Sequence, residues 1–314
     1  MEGNNVYNFT LDIEKEDRLD KHLKNHFPEY SRATIQKWIK NDNVKIDGKT
    51  CTQKDVIKSS CNVSIVITST PEVNLIAEDI DLDVIHECSE YIVVNKPSGM
   101  VTHIAPGHYS GTLQNALYYR YPDLANVPRT GIIHRLDKDT SGVLVVARNL
   151  IAHNYLSTQL QMHKFEKTYH AIISRVLDES TIIEENIGRH PINRKRMAVT
   201  SNGKHAKSIV KPITNLINSS HVEIKIITGR THQIRVHMSY LNHPIIGDKL
   251  YGYRKNIFNK YPDLIKHIDP TFGQYLHAYS LSFRDNVSGR MKSFNADYPA
   301  QYNSLLENMN EYLS

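Results

Sequence analysis

The chain has 314 residues and a formal net charge of +5, with 40% hydrophobic and 23% charged residues. That apolar share excludes wholesale disorder, and at roughly 100–200 residues per domain it predicts about two domains. Apolar runs such as Val143-Leu144-Val145-Val146-Ala147 are strand-sized, far short of the roughly 18 residues of a membrane span, so no membrane partner is expected.

Two further exclusions follow. Met1-Glu2-Gly3-Asn4-Asn5 lacks a basic region followed by an apolar run, so no secretory signal is expected. Cys51, Cys61 and Cys88 form no C-x-x-C pair, which argues against a disulfide framework and a thiolate zinc site. A cytoplasmic protein is expected.

Leu19, Leu23 and Phe27, four apart, predict one apolar helix stripe over 18–28, closed by Pro28. Ser31 is placed to N-cap a second helix with Ile35, Trp38 and Ile39 on one face. Val44-Lys45-Ile46 predicts a short strand ending in an Asp47-Gly48 turn, and 63–67 predicts another. This α-plus-β module ends near residue 70, and Thr68-Ser69-Thr70-Pro71-Glu72 reads as a linker. The boundaries are therefore 1–75, linker included, and 76–314.

In the second domain, 91–94 predicts a strand and Lys96-Pro97-Ser98-Gly99 a turn. Residues 112–120 and 151–163 read as helices, and 142–147 as a buried strand. Strands are expected at 170–174 and 222–228, and a closing helix at 299–313 with Pro299 in its first turn. Strands dominate the middle of the chain, which predicts an α+β sheet domain.

Charge is unevenly placed. Residues 18–58 hold ten Lys/Arg against five Asp/Glu, residues 129–235 hold seventeen against eight, and 76–88 hold five acids and no base. Two basic blocks around an acidic joint fit a polyanion held by two surfaces.

Several chemistries have no sequence basis. There is no G-x-x-x-x-G-K-[ST], G-x-G-x-x-G, H-E-x-x-H or G-x-S-x-G. His232 and His237 lie close together, but no third ligand has convincing spacing, so no metal is expected.

The densest polar cluster is His134-Arg135-Leu136-Asp137-Lys138-Asp139-Thr140-Ser141-Gly142, directly before the buried strand. A turn in which Asp139, Thr140, Ser141 and Gly142 satisfy one another's backbone explains its second half. It does not explain His134 to Asp137. Spacing alone does not choose between Asp137 and Asp139 as the reactive carboxylate.

This cluster resembles the signature of the RluA family of pseudouridine synthases. Phe165-Glu166-Lys167-Thr168-Tyr169-His170-Ala171 resembles that family's tyrosine motif, and Thr228-Gly229-Arg230-Thr231-His232-Gln233-Ile234-Arg235-Val236-His237 its arginine motif. His243-Pro244-Ile245-Ile246-Gly247-Asp248 and Leu276-His277-Ala278 follow in the family's order. Arg18-Leu19-Asp20, Ser31-Arg32 and Val44-Lys45-Ile46-Asp47-Gly48-Lys49 resemble an S4 RNA-binding domain, with Asn41-Asp42-Asn43 where many S4 domains carry a glycine. Within the family the chain is most similar to the RluD branch, on its S4 domain, Pro28-Glu29-Tyr30-Ser31-Arg32, Asp123-Leu124-Ala125-Asn126-Val127-Pro128-Arg129 and Gly188-Arg189-His190-Pro191. That branch modifies uridines in the helix 69 stem-loop of bacterial large-subunit (23S) rRNA.

The resemblance implies a small S4 domain and a larger catalytic domain with a mixed, largely antiparallel sheet. It implies Asp137 as the catalytic aspartate, acting as nucleophile or base at the sugar. Arg235 is its partner, and Tyr169 packs on a base flipped out of the stack. Arg135 is expected to fill the gap that the flipped base leaves. Arg32, Lys37 and Lys40 are expected to face RNA from the second helix. Lys96 is a weaker candidate for a phosphate contact. A redox-neutral isomerisation implies no cofactor, and a monomer bound to ribosomal RNA is expected. The rival reading is a non-catalytic RNA-binding or ribosome assembly protein of the same fold; loss of Asp137 would have favoured it.

Overall fold

The computed structural model describes residues 5–13, 15–27, 32–67 and 75–312. The Ser31 cap, residues 28–31 of the quoted motif, the 68–72 linker and Leu313 lie outside the described residues. The chain divides into two units, Met1–Asn74 and Leu75–Ser314.

The first unit comprises β1 (Asn5–Leu11), β2 (Asp17–Arg18), α1 (Leu19–His26), α2 (Arg32–Lys40), β3 (Val44–Ile46), β4 (Lys49–Thr50), β5 (Val56–Ile57) and β6 (Cys61–Ile67). Its main sheet runs β1-β6-β3-β4, and β2 pairs with β5. The predicted stripes meet in one core, where Leu19, Leu23 and Phe27 pack with Ile35, Trp38 and Ile39 against Val44, Val63 and Ile65.

Asp20 is wholly buried between the two helices. Burial raises its carboxyl, but Gln36, Arg32 and Arg18 outweigh that and hold it below the usual carboxylate range. Arg32 lies 2.9 Å from it and Arg18 3.1 Å.

The glycine-less turn after α2 is closed by Asn43 N–H donating to the Trp38 carbonyl at 3.0 Å, and Asp42 sits at φ 57°. That left-handed position after a helix is the one glycine usually fills, and Asp is among the few residues that tolerate it.

The second unit comprises β7 (Asp83–Glu87), β8 (Tyr91–Lys96), α3 (Leu113–Arg120), β9 (Ser141–Ala147), α4 (Leu150–Gln161), β10 (Glu166–Ser174), β11 (Thr181–Arg189), β12 (Met197–Val199), β13 (Lys204–Leu216), β14 (Ser219–Ile226), α5 (Gln233–Tyr240), α6 (Pro262–Lys266), β15 (Leu276–Arg284), β16 (Met291–Asn295) and α7 (Ala300–Glu311). Ten strands form one sheet in the order β12-β11-β13-β14-β10-β15-β9-β8-β7, with β16 also on β15. Every pairing is antiparallel except β15 with β9. The fold is therefore α+β with a mixed, largely antiparallel sheet.

Local chemistry explains several boundaries. Thr112 caps α3, its hydroxyl accepting from Asn115 N–H while the Asn115 side chain accepts from Thr112 N–H. Pro299 is the N-cap of α7 rather than a residue of its first turn. β9 is buried along its whole length, as its continuous apolar sequence requires. At its start, Gly142 adopts φ 115° opposite Ala278 of β15, and a Cβ there would stand 2.3 Å from the Ala278 carbonyl oxygen. Glycine lets the only parallel pair among the described strands close.

Candidate active site

The loop before β9 is held mainly by other elements. Thr102 donates its hydroxyl to the Leu136 carbonyl at 2.9 Å, Lys96 its ammonium to the Lys138 carbonyl at 3.1 Å, and Ser98 its hydroxyl to the Asp139 carbonyl at 3.0 Å. Thr140 N–H closes the turn on the Asp137 carbonyl at 3.1 Å. Gln274 donates to the Thr140 hydroxyl, and Ser141 bonds His277, whose other ring nitrogen reaches the Ala296 carbonyl. The self-satisfied turn read from Asp139 to Gly142 is corrected by these contacts. Satisfying four successive carbonyls, Leu136 to Asp139, fixes the backbone that carries Asp137.

Lys96 is also corrected. It is fully buried, with Nζ 2.8 Å from the carbonyls of both Pro97 and Met100 in addition to Lys138. It ties the 96–100 turn to the Asp137 loop and cannot touch a phosphate. Burial pulls its amine down to about 7, against the charges of Asp139 and Asp137.

Asp137 and Asp139 differ in surroundings. Asp137 accepts from Arg235 Nη1 at 3.1 Å, and His232 Nε2 lies 3.8 Å away. The Asp139 side chain packs against Gly273, where a Cβ would stand 2.5 Å from its own Cβ. Arg235 lies on α5, and Asp248 grips it bidentately, accepting from Nε at 2.7 Å and Nη2 at 2.9 Å. The Tyr251 ring lies 4.9 Å beneath the guanidinium. Burial works against the charge of Arg235, but Asp248 and Asp137 outweigh it and raise its already high pKa. His232 caps α5 at φ 56°, bonds the Tyr251 hydroxyl at 2.8 Å, and is pulled down by burial.

A cavity of about 400 Å³ opens beside Asp137, lined by Tyr169, Lys167, Arg135, His232 and Arg235. Its volume is in the range of small-molecule sites. Burial, then the Asp137 charge, raises the Tyr169 hydroxyl well above its usual value. A second cavity of about 660 Å³ shares Arg135, Asp137 and Arg235 and adds His103, His108 and Arg129. Arg135 is exposed on the wall common to both.

Asp137, Arg235, Tyr169 and Arg135 thus converge. Arg32, Lys37 and Lys40 belong to the other unit. Lys37 and Lys40 are exposed on α2, whereas Arg32 turns its guanidinium to Asp20 while remaining partly exposed. Asp248, Tyr251 and Lys167 have site positions to which the sequence assigned no role, although Asp248 and Lys167 lie in quoted motifs. His232 and His237 do not converge, because His237 is buried against the Ser208 hydroxyl. Among the described residues no group of three or more His, Cys, Asp or Glu could hold a metal ion, and no helix is long and apolar enough to cross a membrane.

The fold and site define a pocket built around one arginine-held carboxylate beside the central strands of a mixed sheet. Residues 90–240 match the family model described as RNA pseudouridylate synthase, and 17–60 match the S4 domain. The chain is 42% identical over 240 residues to a Pseudomonas aeruginosa protein called ribosomal large subunit pseudouridine synthase D, covering 76% of this chain and 75% of that one. A Neisseria meningitidis protein of the same name is 40% identical, covering 92% of this chain and 78% of that one. The solved structure of human RNA pseudouridylate synthase domain containing 1 matches with a TM-score of 0.56 at 26% identity, covering 71% of this chain and 86% of that one. The chain belongs to the RNA pseudouridylate synthase family and carries an S4 domain.

Proposed function

We propose that this protein isomerises uridines of large-subunit ribosomal RNA to pseudouridine, with the helix 69 stem-loop as the target and Asp137 as the catalytic carboxylate. The observation that carries the reading is the chain of contacts from Asp248 through Arg235 to Asp137 on the cavity wall. A carboxylate acting at C1′ must be aimed, and a buried guanidinium fixed by a second carboxylate aims it.

The flipped uridine enters the cavity with its base against Tyr169, whose ring stacks on any base plane. Arg135, exposed between the two cavities, occupies the place left in the RNA stack. In the S4 unit, Lys37 and Lys40 contact the RNA backbone, and Arg32 adds its exposed side while bracing Asp20. The reaction conserves atoms and redox state, so it needs no cofactor. The protein acts as a monomer in the cytoplasm, where ribosomal RNA is its partner.

Pseudouridine mapping of rRNA from cells with and without the protein tests this. The expected result is loss of pseudouridine at helix 69 positions only. An unchanged map would contradict the substrate assignment.

A further inference from the structure

Lys167 and Tyr169 are two residues apart on β10, and strand alternation puts both on one face. That face lines the cavity beside Asp137. The Lys167 ammonium lies 5.9 Å from the Phe165 ring centroid, and a Cβ on Gly229 would stand 3.9 Å from it.

Among the described residues Lys167 has neither an ion pair nor a side-chain hydrogen bond. The charge-bearing groups that share its cavity explain why. His134 and Arg135 come from the motif loop and His163 from the end of α4. Arg230 and His232 come from the segment leading into α5, and Arg235 from α5 itself. Asp137 is the one carboxylate on that wall, and Arg235 already holds it. His134 is kept neutral, first by burial and then by the Lys167 charge. An ammonium drawn out of water without an anion is destabilising. Its ammonium lines the cavity with three N–H donors that no described carboxylate or carbonyl accepts.

Position within the cavity matters as well. Lys167 stands two residues, about 7 Å, along β10 from Tyr169, with its ammonium beside Gly229 and Phe165 and outside the Arg235–Asp137 ion pair. A uridine with C1′ at Asp137 and its ring along Tyr169 presents its carbonyl edge there.

Isomerisation breaks the N1–C1′ bond with its electron pair left on the uracil, spread over N1, O2 and O4. The C1′–C5 bond then forms, and the proton lost from C5 ends on N1, so atoms and electrons balance without a co-reactant. We propose that Lys167 binds the carbonyl edge of the target uracil and stabilises the negative charge that the ring carries between bond breaking and bond making. This rests on the substrate reading above and adds a residue to it. Fixed donors aimed at developing charge are where an enzyme gains most.

The test is single-turnover kinetics on transcribed large-subunit rRNA at saturating enzyme, with binding measured separately. Wild-type turnover reports on the substrate reading, and the variant-to-wild-type ratio reports on Lys167. Lys167→Met should lower the rate roughly 100-fold, as loss of one such donor does, while leaving RNA affinity unchanged. Its thermal midpoint should not fall, because methionine removes a desolvated charge at similar volume. Lys167→Arg should recover most of the rate.

The pH profile separates charge from packing. Burial lowers the lysine to about 8, so the wild-type rate should fall as pH rises through that value. The Arg variant should not show that fall. A near wild-type rate for Lys167→Met, a loss of affinity in place of rate, or equal losses in the Met and Arg variants would each overturn the proposal.

Discussion

Arg235 donates to Asp137 at 3.1 Å from a side chain that Asp248 has already fixed in orientation. The planar guanidinium spans two carboxylates, which a single ammonium cannot do. Arg235→Lys should therefore lower the single-turnover rate by roughly 100-fold or more although the charge is kept. Asp248→Asn leaves Arg235 buried with one carboxylate fewer and should cost about 3 kcal/mol in chemical denaturation. Wild-type rates in Arg235→Lys would show that the fork geometry is irrelevant.

The parallel pair between β9 and β15 depends on Gly142. Alanine there meets the Ala278 carbonyl and a φ of 115°. Gly142→Ala should destabilise the fold by on the order of 3 kcal/mol, through backbone strain and overpacking together. Denaturant titration followed by far-UV circular dichroism measures this, and a shift under about 0.5 kcal/mol, the usual range for a surface substitution, would mean the strands separate easily.

Much of the S4 unit was legible because Leu19, Leu23 and Phe27 repeat every four residues up to Pro28, and Ile35, Trp38 and Ile39 share the face of a second helix. β9 was legible for its unbroken apolar run. β13 was harder, since Pro212 lies inside it and the register shifts between Pro212 and Thr214. β1 pairs with β6 across 50 (Leu11 with Cys61) to 62 (Asn5 with Ile67) residues, and nothing local in Asn5–Leu11 announces it. The site was legible as a set of motifs and not as geometry. Asp137 and Asp139 look alike in a polar run, and what separates them is an arginine 98 residues further on. Lys96 reads as a surface turn residue because its three carbonyl partners are invisible in sequence.

Asp42 carries left-handed strain where glycine is usual. That conformation costs most L-residues roughly 1–2 kcal/mol, with aspartate at the lower end, against roughly 0.5–1 kcal/mol of extra chain entropy for glycine. Asp42→Gly should thus stabilise the S4 unit by roughly 0.5 kcal/mol. Trp38 is the only tryptophan and is buried in that unit's core, so its fluorescence reports the unit within the full chain. A lower denaturation midpoint in the variant would contradict the assignment.

Asp20 makes the same unit acid-sensitive. Its carboxyl is held below the ordinary value of 3.8 in the folded chain. The stability it contributes is complete above that unfolded value and is lost as pH falls through the lower folded one. The Trp38-monitored midpoint should therefore drop below about pH 4 more steeply in the wild type than in Asp20→Asn, which starts lower at neutral pH. Parallel pH profiles would show that Asp20 is not the acid-labile group.

The most direct measurement compares Asp137→Asn with Asp139→Asn in single turnover on rRNA that the wild-type enzyme modifies, with circular dichroism confirming the fold of each. Asparagine keeps the shape of Asp137 and removes the charge that Arg235 holds. The account predicts no detectable pseudouridine from Asp137→Asn and substantial turnover from Asp139→Asn. Turnover by Asp137→Asn together with its loss in Asp139→Asn would contradict it.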